Sequence, residues 1–242
     1  MSKNIAIIPA RYDSTRFPGK LLERIGEKTI LNLVWDQVSK SNQLDEIIIA
    51  TDDVRIISEA ESFGAQAEMT FKTHKSGTDR CAQIAARYWE NDVIINIQAD
   101  EPFIQPELID MIIEKINEDE WIEIASLFTK ILNSADISDP NVVKLVKDKS
   151  GKALYFSRSP IPFYRDGIKP DDYYLRHIGL YSYRNKALQS ITKLDESHLE
   201  KAEKLEQLRW LENGFNLQVF ETEYQGIGID TPEDLKRAME MI

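Results

Sequence analysis

Three continuous apolar runs in the first half of the chain constrain its fold more than any other feature. They cover residues 5–8, 46–50 and 92–97, and a helical pattern separates each run from the next. Strands that are apolar without alternation are typical of a parallel sheet covered by helices on both faces. The sequence therefore predicts an α/β fold built on a mostly parallel sheet.

Helix signals lie between and after these runs. Gly64 is a candidate helix C-cap. Thr231-Pro232 is typical of a helix start, in which threonine caps and proline takes the first helical position. Apolar residues at helical spacing predict the other helices. We expect helices over residues 29–40, 54–63, 78–89 and 200–211, and a last helix that begins at 231–234.

The second half of the chain departs from this alternation of apolar strands and helices. Apolar runs at 142–146 and 153–156 flank a turn and predict a β-hairpin, and a further strand is expected at 177–183. We interpret residues 1–242 as one domain. Its parts are a core of about 1–130 plus 215–242 and an inserted, partly antiparallel lobe of about 131–214.

Charge and composition exclude several classes of protein. A net charge of −11 argues against nucleic acid as a partner, because such binding relies on concentrated Lys and Arg. The only cysteine, Cys81, cannot form an internal disulfide, and we interpret it as a core residue. The N-terminal apolar run is too short for a signal peptide, and no segment approaches the length of a membrane span. We expect a soluble, cytoplasmic protein.

The polar segments that follow the apolar runs are the expected place for a site, because ligands of parallel α/β sheets bind beyond the carboxyl ends of the strands. The strongest of them is the loop 9–20, which carries Arg11, Arg16 and Lys20. Cations and backbone amides in such a loop can surround phosphate oxygens. The spacing is not that of a Walker P-loop. The alternative is a solvated basic loop.

Two aspartates are candidate magnesium ligands. Asp100 follows the third apolar run, and Asp230 precedes the last predicted helix. Carboxylate oxygens suit Mg²⁺, and a metal would help an acidic protein to bind an anionic nucleotide. Either aspartate could instead cap the helix or turn that follows it. For Asp230 this alternative is serious, because Thr231 already stands at a helix start.

Two further polar features are open to more than one interpretation. Segment 73–80 could recognise a base or a ribose through backbone groups, or Thr78 could simply cap the helix that follows. His177 precedes an apolar run, where a single histidine is more often structural than catalytic. The spacing of His and Cys residues fits neither a metal site nor a catalytic triad.

Taken together, segments along the whole chain resemble the CMP-KDO synthetases (3-deoxy-manno-octulosonate, or KDO, cytidylyltransferases), which are glycosyltransferase-A-like nucleotidyltransferases. The PAR…PGK loop also occurs in related nucleotidyltransferases, whereas SRSPIP, RHIG and EKLEQLRWLE are more particular to the KDO enzymes. The similar segments are IIPARYDSTRFPGK (7–20), IIIATDD (47–53), HKSGTDR (74–80), NIQADEPFI (96–104), ALYFSRSPIP (153–162), LRHIGLYSYR (175–184), LEKAEKLEQLRWLENG (199–214) and GIGIDTPEDL (226–235).

The resemblance implies a Rossmann-like fold whose core binds the nucleotide and whose lobe binds the sugar and forms a homodimer. It implies that Asp100 and Asp230 bind magnesium. It also assigns the nucleotide contacts: Arg11 and Lys20 at the CTP phosphates with Ser14 nearby, His74, Ser76, Gly77, Thr78 and Arg80 around the cytosine, and Gln98 at the ribose.

On the sugar side, the resemblance implies that Arg158 pairs with the KDO carboxylate and that His177, Glu206 and Gln207 hold its hydroxyls. Helical spacing agrees in part, since Glu203 and Glu206-Gln207 would share one face of a continuous helix. One departure is Ala99, where the family usually has glycine. The added methyl group beside Asp100 is expected to tune the site rather than abolish function.

The implied reaction is an in-line attack of the KDO anomeric hydroxyl on the α-phosphorus of CTP, with loss of pyrophosphate. Mg²⁺ would orient the reactants, and the product would serve lipopolysaccharide assembly. Two alternatives remain open. One is the same chemistry on 8-amino-KDO or another acidic sugar, and the other is a noncatalytic nucleotide-binding module. The second would predict loss of Lys20, Asp100 or Asp230, all of which are present.

Overall fold

The computed structural model of the chain describes residues 2–14, 17–167, 173–226 and 228–240. Within these ranges nine strands form one sheet, and two short strands form a separate ribbon. In chain order the strands are β1 (Asn4–Ala10), β2 (Arg24–Ile25), β3 (Lys28–Thr29), β4 (Glu46–Thr51), β5 (Ala67–Met69), β6 (Val93–Asn96), β7 (Ile124–Lys130), β8 (Lys144–Lys147), β9 (Ala153–Ser157), β10 (Leu175–Arg184) and β11 (Leu217–Glu221).

Helices cover both faces of the sheet. The predicted helices at 29–40 and 54–63 are confirmed, and the one expected at 78–89 ends earlier, at Ala85. None of the helices in the described ranges is long and apolar enough to cross a membrane. The helices are α1 (Ile30–Val38), α2 (Val54–Ser62), α3 (Gly77–Ala85), α4 (Pro106–Glu118), α5 (Ser134–Ser138), α6 (Asn185–Ile191), α7 (His198–Glu203), α8 (Gln207–Glu212) and α9 (Pro232–Met239).

The first-half strands form the predicted parallel sheet. β6, β1, β4 and β5 lie side by side, and each pair is parallel. Ile5 and Ile7 of β1 pack into one core cluster, and Ala6 and Ile8 pack into the other, on the opposite face. All four side chains are fully buried. A strand covered on both faces has no solvent side, which explains why these runs are apolar without alternation.

The second half of the chain supplies strands to the same sheet. β8 and β9 pair as the predicted hairpin. β10 is antiparallel to both β6 and β7, and β11 returns parallel to β7. The segment 131–214 therefore contributes β10 to the interior of the main sheet as well as the hairpin at its side. Its assignment as a sugar-binding and dimerisation lobe stays a prediction.

The helix expected over residues 200–211 is wrong as a single element. α7 ends at Glu203, Lys204 takes a left-handed conformation with φ of 53°, and α8 begins at Gln207. Contacts outside the helix hold the break, since the Glu203 carboxylate accepts from Ser157 Oγ at 2.7 Å and from the Arg158 amide at 2.9 Å. The expected shared face of Glu203 with Glu206-Gln207 is therefore also wrong.

Candidate active site

The loop after β1 folds back on Tyr12. The Tyr12 carbonyl accepts hydrogen bonds from the Ser14 amide at 3.0 Å and from the Gly19 amide at 2.8 Å. Gly19 has φ of 75°, and a Cβ there would lie 3.1 Å from the Tyr12 ring, so this turn favours glycine. The turn directs Lys20 back toward the end of the sheet. Arg16, a cation of the predicted phosphate loop, lies outside the described residues.

Lys20 joins three distant parts of the chain. Its ammonium donates to Asp100 Oδ2 at 2.6 Å, to Asp230 Oδ1 at 3.0 Å and to the Ile229 carbonyl at 2.8 Å. The lysine side chain is only 9% exposed. Burial lowers the pKa of Lys20, but the two carboxylates outweigh burial and raise it overall. Lys20 is therefore a fixed cation at neutral pH.

The helix-capping alternative for the two aspartates is wrong. Thr231 caps α9, and its side chain accepts from the Asp234 amide in a capping box with the Asp234 carboxylate. α4, the helix that follows Asp100, begins only at Pro106 with Gln105 as its N-cap. The Asp100 and Asp230 carboxylates instead converge on one ammonium group.

A cavity of about 360 Å³ opens beside Lys20, at the carboxyl ends of β1 and β6. Seven residues assigned from the sequence lie on its wall. Pro9, Asp13, Leu21, Lys75 and Ala99 complete the lining and were not assigned, although all belong to or adjoin the segments that carry the resemblance. The seven are Arg11, Ser14, Lys20, Ser76, Gly77, Gln98 and Asp100.

The N-terminus of α3 packs against the end of β1. A Cβ on Gly77 would lie 3.1 Å from Pro9 Cγ, so glycine permits this close approach. The Arg11 guanidinium donates to the carbonyls of His74 and, at 3.4 Å, Ser76. Ser76, not Thr78, caps α3, and the Asp79 carboxylate completes a capping box. Arg11 and residues 75–77 therefore form one wall of the cavity.

Arg80 lies behind this wall rather than on it. The side chain is fully buried, lies 3.0 Å from Asp52 Oδ2 and donates to Thr70 Oγ1. Burial and the charge of Arg80 lower the pKa of the neighbouring Arg11 guanidinium. The structure thus places Arg80 as an internal cation that adds positive potential next to Arg11, and its proposed contact with cytosine stays a prediction.

Two residues assigned to the sugar, Arg158 and His177, lie directly after β9 and within β10. Arg158 Nε donates to the Glu203 carbonyl at 2.7 Å, and its Nη1 donates to the Pro140 carbonyl at 2.7 Å. His177 Nε2 lies 2.9 Å from Ser126 Oγ. Burial, with a smaller effect of Arg176, lowers the pKa of His177 to about 3. His177 is therefore a neutral ring that orients hydrogen bonds at physiological pH.

Glu206 and Gln207 begin α8, next to the loop 74–78. Gln207 is buried. The Glu206 carboxylate accepts from Ser76 Oγ at 3.0 Å and from Thr78 Oγ1 at 2.7 Å. Arg209, which the sequence analysis left unassigned, donates to the same carboxylate at 2.6 Å. Burial raises the pKa of the Glu206 carboxyl, and these three contacts offset part of that effect.

The donors present fit a magnesium ion. Asp100 and Asp230 already share one cation, the Lys20 ammonium, so their carboxylates point to a common position. Mg²⁺ is typically bound through one or two carboxylates together with substrate phosphates. The described part of the chain holds no cluster of three or more His, Cys, Asp or Glu side chains suited to a metal.

Comparisons with known proteins agree with this geometry. The cytidylyltransferase family model matches residues 5–223. The 3-deoxy-manno-octulosonate cytidylyltransferase of Geotalea uraniireducens is 46% identical over 249 aligned residues, covering 99% of this chain and 99% of that protein. The Solibacter usitatus enzyme of the same name is 48% identical and covers 97% of this chain and 92% of its own length.

Solved structures show the same relation. A CMP:2-keto-3-deoxy-manno-octonic acid synthetase in complex with CTP superposes with a TM-score of 0.93 at 39% identity, covering 99% of this chain and 98% of that one. The 4-diphosphocytidyl-2C-methyl-D-erythritol synthase of Anaerococcus prevotii has a TM-score of 0.63 at 17% identity and covers 99% of this chain and 96% of its own. The second likeness shows the fold alone.

Proposed function

This chain belongs to the 3-deoxy-manno-octulosonate cytidylyltransferase family, and from that premise we propose that it transfers CMP from CTP to KDO, with release of pyrophosphate. The product, CMP-KDO, serves lipopolysaccharide assembly. One observation in the structure carries the proposal. A buried lysine and two aspartates converge beside a cavity at the carboxyl ends of β1 and β6, where a nucleotide is expected in this fold.

The reaction is a displacement at the α-phosphorus. The anomeric oxygen of KDO forms the new bond to phosphorus, the bond to the pyrophosphate oxygen breaks, and the hydroxyl proton passes to water. Arg11 and Lys20 are placed to hold the phosphates, and Ser14 lies on the same wall. Fixed cations aimed at a transferring phosphoryl group stabilise developing charge without reorganisation. We assign no general base.

Asp100 and Asp230 would hold Mg²⁺. When bound, the ion would neutralise phosphate charge and act as a Lewis acid on the reacting phosphate. The side chains of this chain position the reactants around it. Lys20 is already in contact with both carboxylates, so it lies within reach of a phosphate bound there.

We infer the acceptor sugar from the family to which the chain belongs, and not from the residues that line the cavity. Arg158, His177 and Gln207 are the residues we propose for the sugar carboxylate and hydroxyls. The same chemistry on 8-amino-KDO is the second candidate, because only the sugar contacts would differ. Comparing the two acceptors in one assay distinguishes them.

We also propose that the protein works as a cytoplasmic homodimer. In support, the segment 131–214 exposes large apolar side chains. Phe163 is 88% exposed and Leu132 is 80% exposed. The chain segments that carry them meet, since the Ile131 amide donates to the Tyr174 carbonyl and Tyr164 Oη donates to the Tyr173 carbonyl.

The test of the proposed function is pyrophosphate release from CTP and Mg²⁺ with KDO, with 8-amino-KDO and with no sugar. We expect release that requires KDO and stops when EDTA removes the metal. Asp100→Asn removes one metal-ligating charge while keeping the side-chain size, and we expect turnover to fall by at least about a hundredfold, equivalent to roughly 2.7 kcal/mol. Asp119→Asn, on the surface after α4, is the matched control.

Each alternative outcome is informative. Release with the amino sugar alone would retain the reaction and replace the acceptor. Near-normal turnover of the Asp100 variant would contradict the metal assignment. Release with neither sugar, from a folded protein that binds CTP, would favour a noncatalytic nucleotide-binding module or an untested acceptor.

A further inference from the structure

Both carboxylate oxygens of Glu206 are engaged by the nucleotide side of the site. Oε1 accepts from Ser76 Oγ, and Oε2 accepts from Thr78 Oγ1. These hydroxyls belong to the first turn of α3, whose N-cap is Ser76. Glu206 itself precedes α8, and it lies 128 residues after Thr78 in the sequence. The carboxylate thus ties the start of α8 to the wall of the nucleotide cavity.

Arg209 lies one turn further along α8 and holds this carboxylate in place. Its Nη2 donates to Glu206 Oε1 at 2.6 Å, and its Nη1 donates to the Leu194 carbonyl at 3.2 Å. Nε lies 3.5 Å from Glu200 Oε2, at the start of α7. The arginine side chain is 11% exposed. These contacts at Nη2, Nη1 and Nε leave the guanidinium little freedom to reorient.

The contacts continue from Glu206 to a phosphate-binding candidate. Ser76 donates to Glu206 through its hydroxyl, and its carbonyl accepts from Arg11. A shift of Ser76 would therefore move one of the two carbonyls that orient Arg11. Arg11 is the guanidinium we propose for the CTP phosphates. This continuous series of hydrogen bonds connects Arg209 to the phosphate end of the cavity.

We propose that Arg209 is a positioning residue for CTP, acting through Glu206 on the loop 74–78. The inference rests on the proposed function, because it concerns how the same site holds its nucleotide. It also changes the expected role of Glu206. The resemblance assigns that carboxylate to the sugar hydroxyls, whereas its partners in the structure are Ser76, Thr78 and Arg209. Loss of Arg209 should therefore weaken CTP binding before it affects the sugar.

The experiment measures CTP binding directly, by calorimetry with Mg²⁺ and without sugar, beside the Michaelis constants for both substrates. For Arg209→Met we expect about a tenfold weaker Kd for CTP and a KM for KDO within twofold of wild type. Arg209→Lys keeps a cation near Glu206 and should recover part of the affinity. A purely structural role would lower the melting temperature without this separation of the two substrates.

A double-mutant cycle tests whether Arg209 acts through Glu206. Residues in one hydrogen-bond network show non-additive effects, so Arg209→Met should add little to the loss already caused by Glu206→Gln. The matched control is Arg184→Met. Arg184 donates to the Ile116 carbonyl at 2.6 Å, at the opposite end of the sheet. We expect that variant to leave the Kd for CTP unchanged.

Several outcomes would overturn the inference. An unchanged Kd for CTP in Arg209→Met, a loss confined to the KM for KDO, or full additivity with Glu206→Gln would each do so. If Arg209→Met does not fold, Thr78→Val replaces it, because it removes one hydroxyl partner of Glu206 at nearly constant volume. A normal CTP affinity in that variant would also overturn the inference. Wild-type protein without CTP affinity would overturn the proposed function as well.

Discussion

Lys20 connects the N-terminal loop to the C-terminal helix through a single ammonium group. Its partners Asp100 and Asp230 are 80 and 210 residues away in the sequence. The two carboxylates that we propose as magnesium ligands are thus already neutralised in part by a side chain of the protein. A divalent cation that enters between them must compete with this ammonium, because like charges repel at such short distances.

Replacement of Lys20 should therefore affect metal and nucleotide in opposite directions. For Lys20→Met we expect Mn²⁺, used as a spectroscopic substitute for Mg²⁺, to bind the nucleotide-free protein about tenfold more tightly, a change of about 1.4 kcal/mol. Turnover with CTP and KDO should fall, because the cation proposed for the phosphates is gone. Titration of free Mn²⁺ by electron paramagnetic resonance measures the first effect, and pyrophosphate release measures the second.

The control for this experiment is Lys75→Met. Lys75 lines the same cavity, but Lys20 is the lysine whose ammonium contacts Asp100 and Asp230. Removal of the Lys75 ammonium should leave Mn²⁺ binding as in wild type. Equal Mn²⁺ affinity in Lys20→Met and wild type would mean that the ammonium does not compete for the metal position.

At the scale of elements, the break between α7 and α8 decides where the acidic side chains of this segment point. Glu203 turns toward β9 and binds the Ser157 hydroxyl and the Arg158 amide. Glu206 turns toward the start of α3. A continuous helix would have placed both carboxylates on one face. The left-handed residue Lys204 thus separates a carboxylate that contacts the end of β9 from one that contacts the start of α3.

Lys204 is therefore a position where glycine should stabilise the fold. A left-handed conformation costs a residue with a Cβ about 1–2 kcal/mol, and glycine avoids this cost. Part of the gain is lost to the greater entropy of an unfolded chain with glycine. For Lys204→Gly we expect the free energy of unfolding to rise by about 0.5–1 kcal/mol, as measured by urea denaturation.

For the paired control we expect the opposite change in the free energy of unfolding. Lys201 lies within α7, where glycine is about 1 kcal/mol less favourable than a good helix former. Lys201→Gly should therefore lower the free energy of unfolding by about that amount. Destabilisation by both substitutions would show that the left-handed conformation of Lys204 carries no strain in solution.

For the whole molecule, the distribution of exposed apolar side chains supports the proposed homodimer. Phe163, Leu132 and Tyr173 are exposed on the segment 131–214, and we call these three side chains the apolar patch. Lys130 Nζ lies 5.0 Å from the centre of the Tyr173 ring. Several large apolar side chains exposed on one part of a protein often mark an interface. This patch lies on the part of the chain that we assign to dimerisation.

A charge in this patch should prevent association. For Phe163→Asp we expect the sedimenting mass to change from twice the chain mass of 27.9 kDa to that mass itself, because the aspartate would be buried without a partner in the dimer. Trp121→Asp is the control. Trp121 is 84% exposed but precedes β7, whereas Leu132 follows it, so the two lie beyond opposite ends of that strand.

The outcome that would contradict the interface assignment is equally clear. A Phe163→Asp variant that sediments as a dimer would place the interface elsewhere on the molecule. A wild-type protein that sediments as a monomer would contradict the homodimer itself. Neither result would bear on the transfer reaction, which is measured separately by pyrophosphate release.

Local patterns in the sequence were sufficient for much of this protein. The apolar runs predicted β1, β4 and β6, and the turn 148–151 predicted the hairpin of β8 and β9. Thr231-Pro232 predicted the start of α9. Cys81 is a buried core residue, as expected. These features depend on periodicity, capping and turn chemistry within a few residues, and such short-range preferences can be read along the chain.

The tertiary structure decided what short-range patterns cannot contain. Helical spacing favoured one helix over 200–211, but contacts between Glu203 and the Ser157–Arg158 segment accompany a break at Lys204. The sequence allowed Asp230 to cap a helix, but the fold instead brings its carboxylate to the Lys20 ammonium. The positioning role that we propose for Arg209 depends on its contact with Glu206 and on the contact of Glu206 with Ser76. The sequence determines which side chains are available, whereas the packing of residues that lie far apart along the chain determines which of them meet, because their interaction energy depends on distance in space.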